Sequence, residues 1–97
     1  MKVQQMPLTS SKGFFKVIED GNELASLNYT CPSADRLMIT YVGVDPELRG
    51  KGLGKEMVLA AVSYARQQKM RIVPVCSFAK RVFQQTPTIK DVLHFVY

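Results

Sequence analysis

The chain has 97 residues and a mass of 10.9 kDa, enough for one domain of two packed layers over 1–97 and too little for a separate substrate or regulatory domain. With 46% hydrophobic and 22% charged residues and a mean hydropathy of -0.03, the composition is that of a globular core, which excludes disordered, collagen-like and coiled-coil chains. Thirteen Lys and Arg against eight Asp and Glu leave a net charge of +5 and a pI near 9.4, so the candidate partners are nucleic acid, a phosphorylated small molecule, or nothing specific.

No run approaches the roughly 18 apolar residues of a membrane span, and residues 1–13 lack the apolar stretch of a signal peptide. A cytoplasmic location and no membrane partner are therefore expected. Cys31 and Cys76 are too few for a disulfide scaffold, and neither has a Cys or His at metal-ligand spacing, so no metal is expected.

In chain order, residues 1–12 are polar and read as a loose lead-in. Residues 14–19 alternate as a strand, Asp20, Gly21 and Asn22 supply a turn, and residues 23–29 resume the strand pattern, giving a hairpin. The segment 31–35, with Cys31, Pro32 and Asp35, breaks that pattern, and residues 37–44 form a third strand rich in Ile, Thr, Tyr and Val. Asp45 and Pro46 end it. Three glycines, Gly50, Gly52 and Gly54, then open a segment free of Pro and Gly as far as Met70. At 100° per residue Leu53, Met57, Ala60, Ala61, Tyr64 and Ala65 share one arc, which predicts an amphipathic helix.

Residues 71–75 predict a further strand, Ser77 a cap, and residues 78–85 a second helix closed by Thr86 and Pro87. Residues 88–97 have enough apolar side chains to pack as a helical turn or as a strand, and the pattern does not choose. His94 there, between Leu93 and Phe95, reads as a packed or surface histidine rather than a catalytic one. A strand-helix-strand step of this length implies a parallel crossover. The fold class expected is α/β (α+β), a mixed sheet with at least one helix on its face.

Chemistry concentrates in residues 42–56, VGVDPELRGKGLGKE. Alternate glycines between a strand and a helix let the backbone approach a ligand, and the helix N-terminus offers unpaired N–H groups and about half a positive charge. Arg49, Lys51 and Lys55 add three full charges, so a pyrophosphate matches best. A glycine-rich turn with no ligand is the plain alternative. A Walker A loop does not fit, because Glu56 follows Lys55 and Arg49 stands where the leading Gly belongs; a dinucleotide loop lacks its acidic residue, since 71–75 carry no carboxylate.

Arg49-Gly50-Lys51-Gly52-Leu53-Gly54 resembles the Arg/Gln-x-x-Gly-x-Gly/Ala signature of the GNAT-type N-acetyltransferase superfamily, placed between the central strand and its helix. Pro74-Val75-Cys76-Ser77-Phe78 is similar to the Pro-x-Cys-x-Phe element of its short single-domain branch, and the resemblance covers about residues 14–93. It implies a mostly antiparallel sheet splayed at its middle and a central helix after the glycine-rich loop. It also implies binding of acetyl-CoA, with the pyrophosphate on the amides of Arg49, Gly50, Lys51, Gly52, Leu53, Gly54 and Lys55. The pantetheine arm would lie between the splayed strands against the edge at 41–44, including Val42 and Val44.

The resemblance further implies acetyl transfer to an amine, a small molecule or a protein lysine, and sets Cys76 near the acetyl group. Two roles are open for Cys76: an acyl-cysteine intermediate, or a thiol lining the pocket while the amine attacks directly. A buried structural thiol is the plain reading. Similar proteins often have His-Thr-Glu-Val where this chain has Tyr41-Val42-Gly43-Val44, so an imidazole and a carboxylate are missing. Tyr41, a water or Glu47 are the remaining candidates to take the amine proton. Phe78 and Phe83 stand on the helix where larger members carry a Tyr acid, and the helical pair of larger members after the first strand is missing. A coenzyme A binding module without catalysis is the rival favoured by those losses. A basic nucleic-acid-binding domain is favoured by charge alone, and the tyrosines do not form the aromatic ladder of a single-strand groove, so nucleic acid is not expected as a partner.

Overall fold

The computed structural model describes residues 2–94. Five strands form one sheet in the order β1-β2-β3-β4-β5: β1 Val3–Pro7, β2 Lys12–Glu19, β3 Asn22–Ser33, β4 Arg36–Val44 and β5 Arg71–Pro74. The first three junctions are antiparallel and β4 with β5 is parallel, which is the mixed, mostly antiparallel α/β sheet expected. Helix α1, Leu53–Gln68, makes the crossover, and α2, Ser77–Gln85, follows β5. Tyr64 of α1 packs its ring against Phe15 and Tyr29, which fixes the sheet face that the helix covers.

Several expectations are corrected. The polar lead-in is a strand, β1, pairing with β2 from Val3↔Val17 to Pro7↔Gly13. It is short, polar and ends in Pro, the composition that protects a sheet edge, and so it lacks the apolar alternation of a half-buried strand. β3 runs on through Cys31 and Pro32 to Ser33, because its register with β4 breaks between Thr30 and Ser33 and Pro32 owes no ladder hydrogen bond there. On α1, Val58 and Val62 are buried while Ala60 and Tyr64 are only half-buried, so the apolar stripe is broader than one arc. The helix touches not only the sheet but also α2 and the turn that follows it.

The cap of α2 is Cys76, not Ser77: its Sγ accepts the Ala79 N–H at 3.4 Å. The tail takes both forms that were open, a 3-10 turn at Pro87–Val92 and then a parallel bridge from Leu93 to Ile72. Residues 95–97 lie outside the described residues.

Two features of β4 set up the site. Its parallel pairing with β5 ends at Ile39↔Pro74, so residues 40–44 continue without a neighbour strand on that side. This is the splay. On the other side Asn28 faces Tyr41 while Tyr29 faces Ile39, which makes Thr40 the extra residue of a β-bulge. Before it Leu37 and Ile39 point into the core; beyond it Val42 and Val44 take the core face, opposite Leu27 and Ala25, and Tyr41 and Gly43 turn to the helix-free face.

Candidate functional site

A cavity of about 630 Å³ fills the gap left by the splay. One wall is the free edge of β4, with Tyr41, Val42, Gly43 and Val44; the other is the loop and first turn of α1, with Arg49, Gly50, Gly52, Leu53, Gly54 and Lys55. Leu48 and Phe78 complete the lining. The β4 edge contributes backbone N–H and C=O groups, which no neighbouring strand takes up on that side.

The loop is built by local rules. Asp45 accepts the Glu47 N–H at 3.0 Å and starts a 3-10 turn over Pro46–Leu48, which lifts the chain out of the sheet. Gly50 and Gly52 then adopt φ of 83° and 79°, the left-handed region that Cβ-bearing residues avoid, and an added Cβ at either would meet nothing within 4 Å. Gly52 is the N-cap and has no side chain to close the helix, so the N–H groups of Leu53, Gly54 and Lys55 have no carbonyl from a preceding turn. With Arg49 and Lys55 beside it, this end of the cavity is a cradle for an anion of two or more oxygens.

Gly54 differs from its two neighbours. It is helical and buried, and an added Cβ would stand 2.6 Å from Cζ of Phe78. Its absent side chain makes room for an aromatic ring, not for a ligand. Phe78, half-buried on α2, thereby closes the cavity from the side opposite β4. Sequence reasoning placed Phe78 on the helix but missed it as a wall; the signal was the pairing of a buried helical glycine with an aromatic two residues beyond Cys76.

Of the residues singled out from the sequence, Tyr41, Val42, Val44, Arg49, Gly50, Gly52, Leu53, Gly54 and Lys55 meet around this one cavity. Lys51 instead lines a smaller hollow of about 160 Å³ with Val3, Leu48, Leu53 and Glu56. Cys76 lies where β5 passes into α2, half-buried, and is not on the lining; its backbone N–H bonds to Ile39 O at 3.3 Å. Cys31 is half-buried in β3, where burial pushes its thiol pKa up, the opposite of an activated nucleophile. Among the described residues no group of three or more His, Cys, Asp or Glu is placed to hold a metal ion, and no helix is long and apolar enough to cross a membrane.

The sequence model of GCN5-related N-acetyltransferases matches residues 14–92. The chain belongs to this family. Its function class is acetyl-CoA-dependent N-acetyl transfer. No curated protein sequence matches the chain. Among solved structures it is similar to a GCN5-like protein from Staphylococcus aureus, with TM-score 0.72 and 28% identity over 99% of this chain and 90% of that one. A ribosomal-protein-alanine N-acetyltransferase from Brucella melitensis biovar Abortus gives TM-score 0.66 at 14% identity, covering 92% of this chain and 66% of that one. An aminoglycoside N-acetyltransferase in complex with CoA gives 0.63 at 13%, covering 92% and 75%. At these two low identities the likeness is one of fold. The GCN5-related fold accounts for the mixed sheet, its splay and the helix behind the glycine loop.

Proposed function

We propose that the cavity between β4 and α1 is the acetyl-CoA site, and that the reaction is acetyl transfer to an amine acceptor. The observation that carries this reading is the continuity of one cavity from the bare N-terminus of α1 to the unpaired edge of β4. The free amides of Leu53, Gly54 and Lys55, with the close-approaching backbone of Gly50 and Gly52, hold the pyrophosphate, and the side chains of Arg49 and Lys55 neutralise it. The Arg49 N–H itself is spent on Pro46 O at 3.4 Å. The edge at 41–44 takes the amide-bearing pantetheine arm as a strand takes a neighbour. Phe78 bounds the arm on its far side. Bound acetyl-CoA supplies a thioester: the carbon–nitrogen bond forms as the carbon–sulfur bond breaks, and the amine proton leaves with the thiol or to water. Tyr41, which lines the β4 wall of the cavity, is the residue assigned to accept a hydrogen bond from the entering amine.

Isothermal titration with acetyl-CoA tests the site. Micromolar binding is expected in the wild type, with a loss of about tenfold or more in Gly52→Val, which cannot hold its φ of 79° without strain. Unchanged affinity in a folded Gly52→Val protein overturns it.

A second reading concerns Cys76. It stands two residues before Phe78, a wall of the cavity, which supports an acyl-cysteine route; its own position off the cavity lining supports direct transfer. Direct transfer is the reading adopted. Intact-protein mass spectrometry after incubation with acetyl-CoA should then show no acetyl adduct, whereas one that disappears in Cys76→Ala establishes the covalent route.

A further inference from the structure

Among the described residues that line the cavity, all but one lie between Tyr41 and Lys55; Phe78 alone comes from a later element. It is the second residue of α2, which is anchored beneath by the buried Ala79, Val82 and Phe83. Phe78 itself is half-buried, and its ring lies against Gly54, with Cζ 2.6 Å from the place a Cβ there would take. With α1 directly behind the ring, any shift in the first turn of α2 is felt in the cavity.

Two ties fix that turn. Ile39 O accepts the N–H of Val75 at 2.9 Å and that of Cys76 at 3.3 Å, which pins the start of α2 to the last residue that β4 shares with β5. Cys76 Sγ then accepts the Ala79 N–H at 3.4 Å. The first N–H groups of a helix have no carbonyl from a preceding turn, and a side chain at the cap takes that place. The loop closed by the Sγ bond contains Ser77 and Phe78, so the thiol holds the stretch of backbone that carries the ring. Cys76 is off the cavity lining and its sulfur addresses the helix, while the ring two residues on addresses the cofactor.

We propose that Cys76 is a positioning residue: its thiol caps α2 and thereby holds the Phe78 ring where the pantetheine arm of acetyl-CoA passes between that ring and β4. This rests on the reading of the cavity as the acetyl-CoA site. The property used is the acceptor lone pair at the cap, which a hydroxyl supplies and a methyl does not.

The test combines isothermal titration with acetyl-CoA and two-dimensional amide NMR of the free protein, for the wild type, Cys76→Ala, Cys76→Ser, Phe78→Ala and the Cys76→Ala/Phe78→Ala double variant. Cys76→Ala should bind acetyl-CoA about threefold to fivefold more weakly and move the Gly54 amide resonance, which reports on the ring beside it. Cys76→Ser should restore both, because serine is a strong cap. In the Phe78→Ala background, Cys76→Ala should cost no further affinity, as expected of a residue that acts through the ring. Cys76→Ser binding as weakly as Cys76→Ala, an unmoved Gly54 resonance in Cys76→Ala, or an equal loss with and without Phe78 overturns the proposal. Should Cys76→Ala not fold, the serine variant decides: wild-type affinity and Gly54 resonance support the cap, and lost affinity in a folded protein overturns it. Failure of the wild type to bind acetyl-CoA sinks the reading of the cavity, while the Gly54 resonance of the free variants still decides whether the thiol holds the ring.

Discussion

The two halves of β4 belong to one strand and do opposite work. From Arg36 to Ile39 it is flanked by β3 and β5, and Leu37 and Ile39 are fully buried. Beyond the bulge at Thr40 it has β3 alone; Tyr41 is exposed, and Val42, Gly43 and Val44 are half-buried along the cavity. Every paired backbone group and buried methyl in the first half stabilises the fold. Every unpaired group in the second half is available to a ligand. A single extra residue and the early end of β5 separate the two roles.

Truncation should expose the difference. Ile39→Ala removes three carbons from a side chain with no exposure, and a loss of about 2–5 kcal/mol is expected in urea or thermal unfolding. Val42→Ala, on the core face but half-buried, should cost only about 1 kcal/mol. Two similar losses would show that the strand is uniform after all.

The glycine loop sharpens the comparison, because its glycines differ in what they accommodate. Gly54→Ala gains up to about 1 kcal/mol in helix propensity, yet pushes a methyl into the Phe78 ring, an overpacking worth about 1–3 kcal/mol. A net loss of about 1 kcal/mol is expected, with weaker acetyl-CoA binding as the ring shifts toward the cavity. In a Phe78→Ala background the same substitution should become stabilising. A double-mutant cycle without that change of sign would remove Phe78 as the reason for Gly54.

Most of this arrangement was legible in the residues. Strands β2 to β5 and both helices carry period or punctuation strong enough to read, and the loop that opens α1 has a specific pattern. Three things were not. β1 is polar because edges must be, so it carries no burial pattern to detect. The cap at Cys76 was hidden behind Ser77, a better capping residue one position too late. The bulge at Thr40 cannot be read from residues 36–44 alone, since a run of β-branched residues looks the same with or without an extra residue in its ladder. That bulge decides which way Tyr41 points, and so part of the site depends on a register that only the pairing with β3 fixes.

On the second half of β4, Gly43→Ala should dislodge Tyr41 from its place over residue 43. A ring with this much exposure can swing into solvent, so stability should change by less than about 1 kcal/mol while amine acetylation falls. A large drop in melting temperature with unaltered turnover would mean that the Tyr41–Gly43 contact supports the fold rather than the reaction.

The smallest effect is expected farthest from the splay. Arg66 of α1 donates from Nε and Nη2 to the two oxygens of Asp91 at 3.1 and 2.7 Å, and Nη2 also reaches Thr88 O, so the turn after α2 is tied to α1. The guanidinium holds the Asp91 carboxyl below the usual carboxylate range. A group whose pKa is lower folded than unfolded stabilises the protein above the unfolded value, about 3.9, and loses that contribution as pH falls through the folded one. Both side chains are exposed and the pair is screened by salt, so its contribution is small. Asp91→Asn should therefore melt slightly below the wild type at neutral pH and low salt, with the gap closing in acid and in high salt. Acetyl-CoA affinity should not move, because the pair touches neither wall of the cavity. An affinity change in Asp91→Asn would show that the tie between α1 and the tail reaches the glycine loop, and the division of β4 into a structural and a binding half would then have to include the far end of α1.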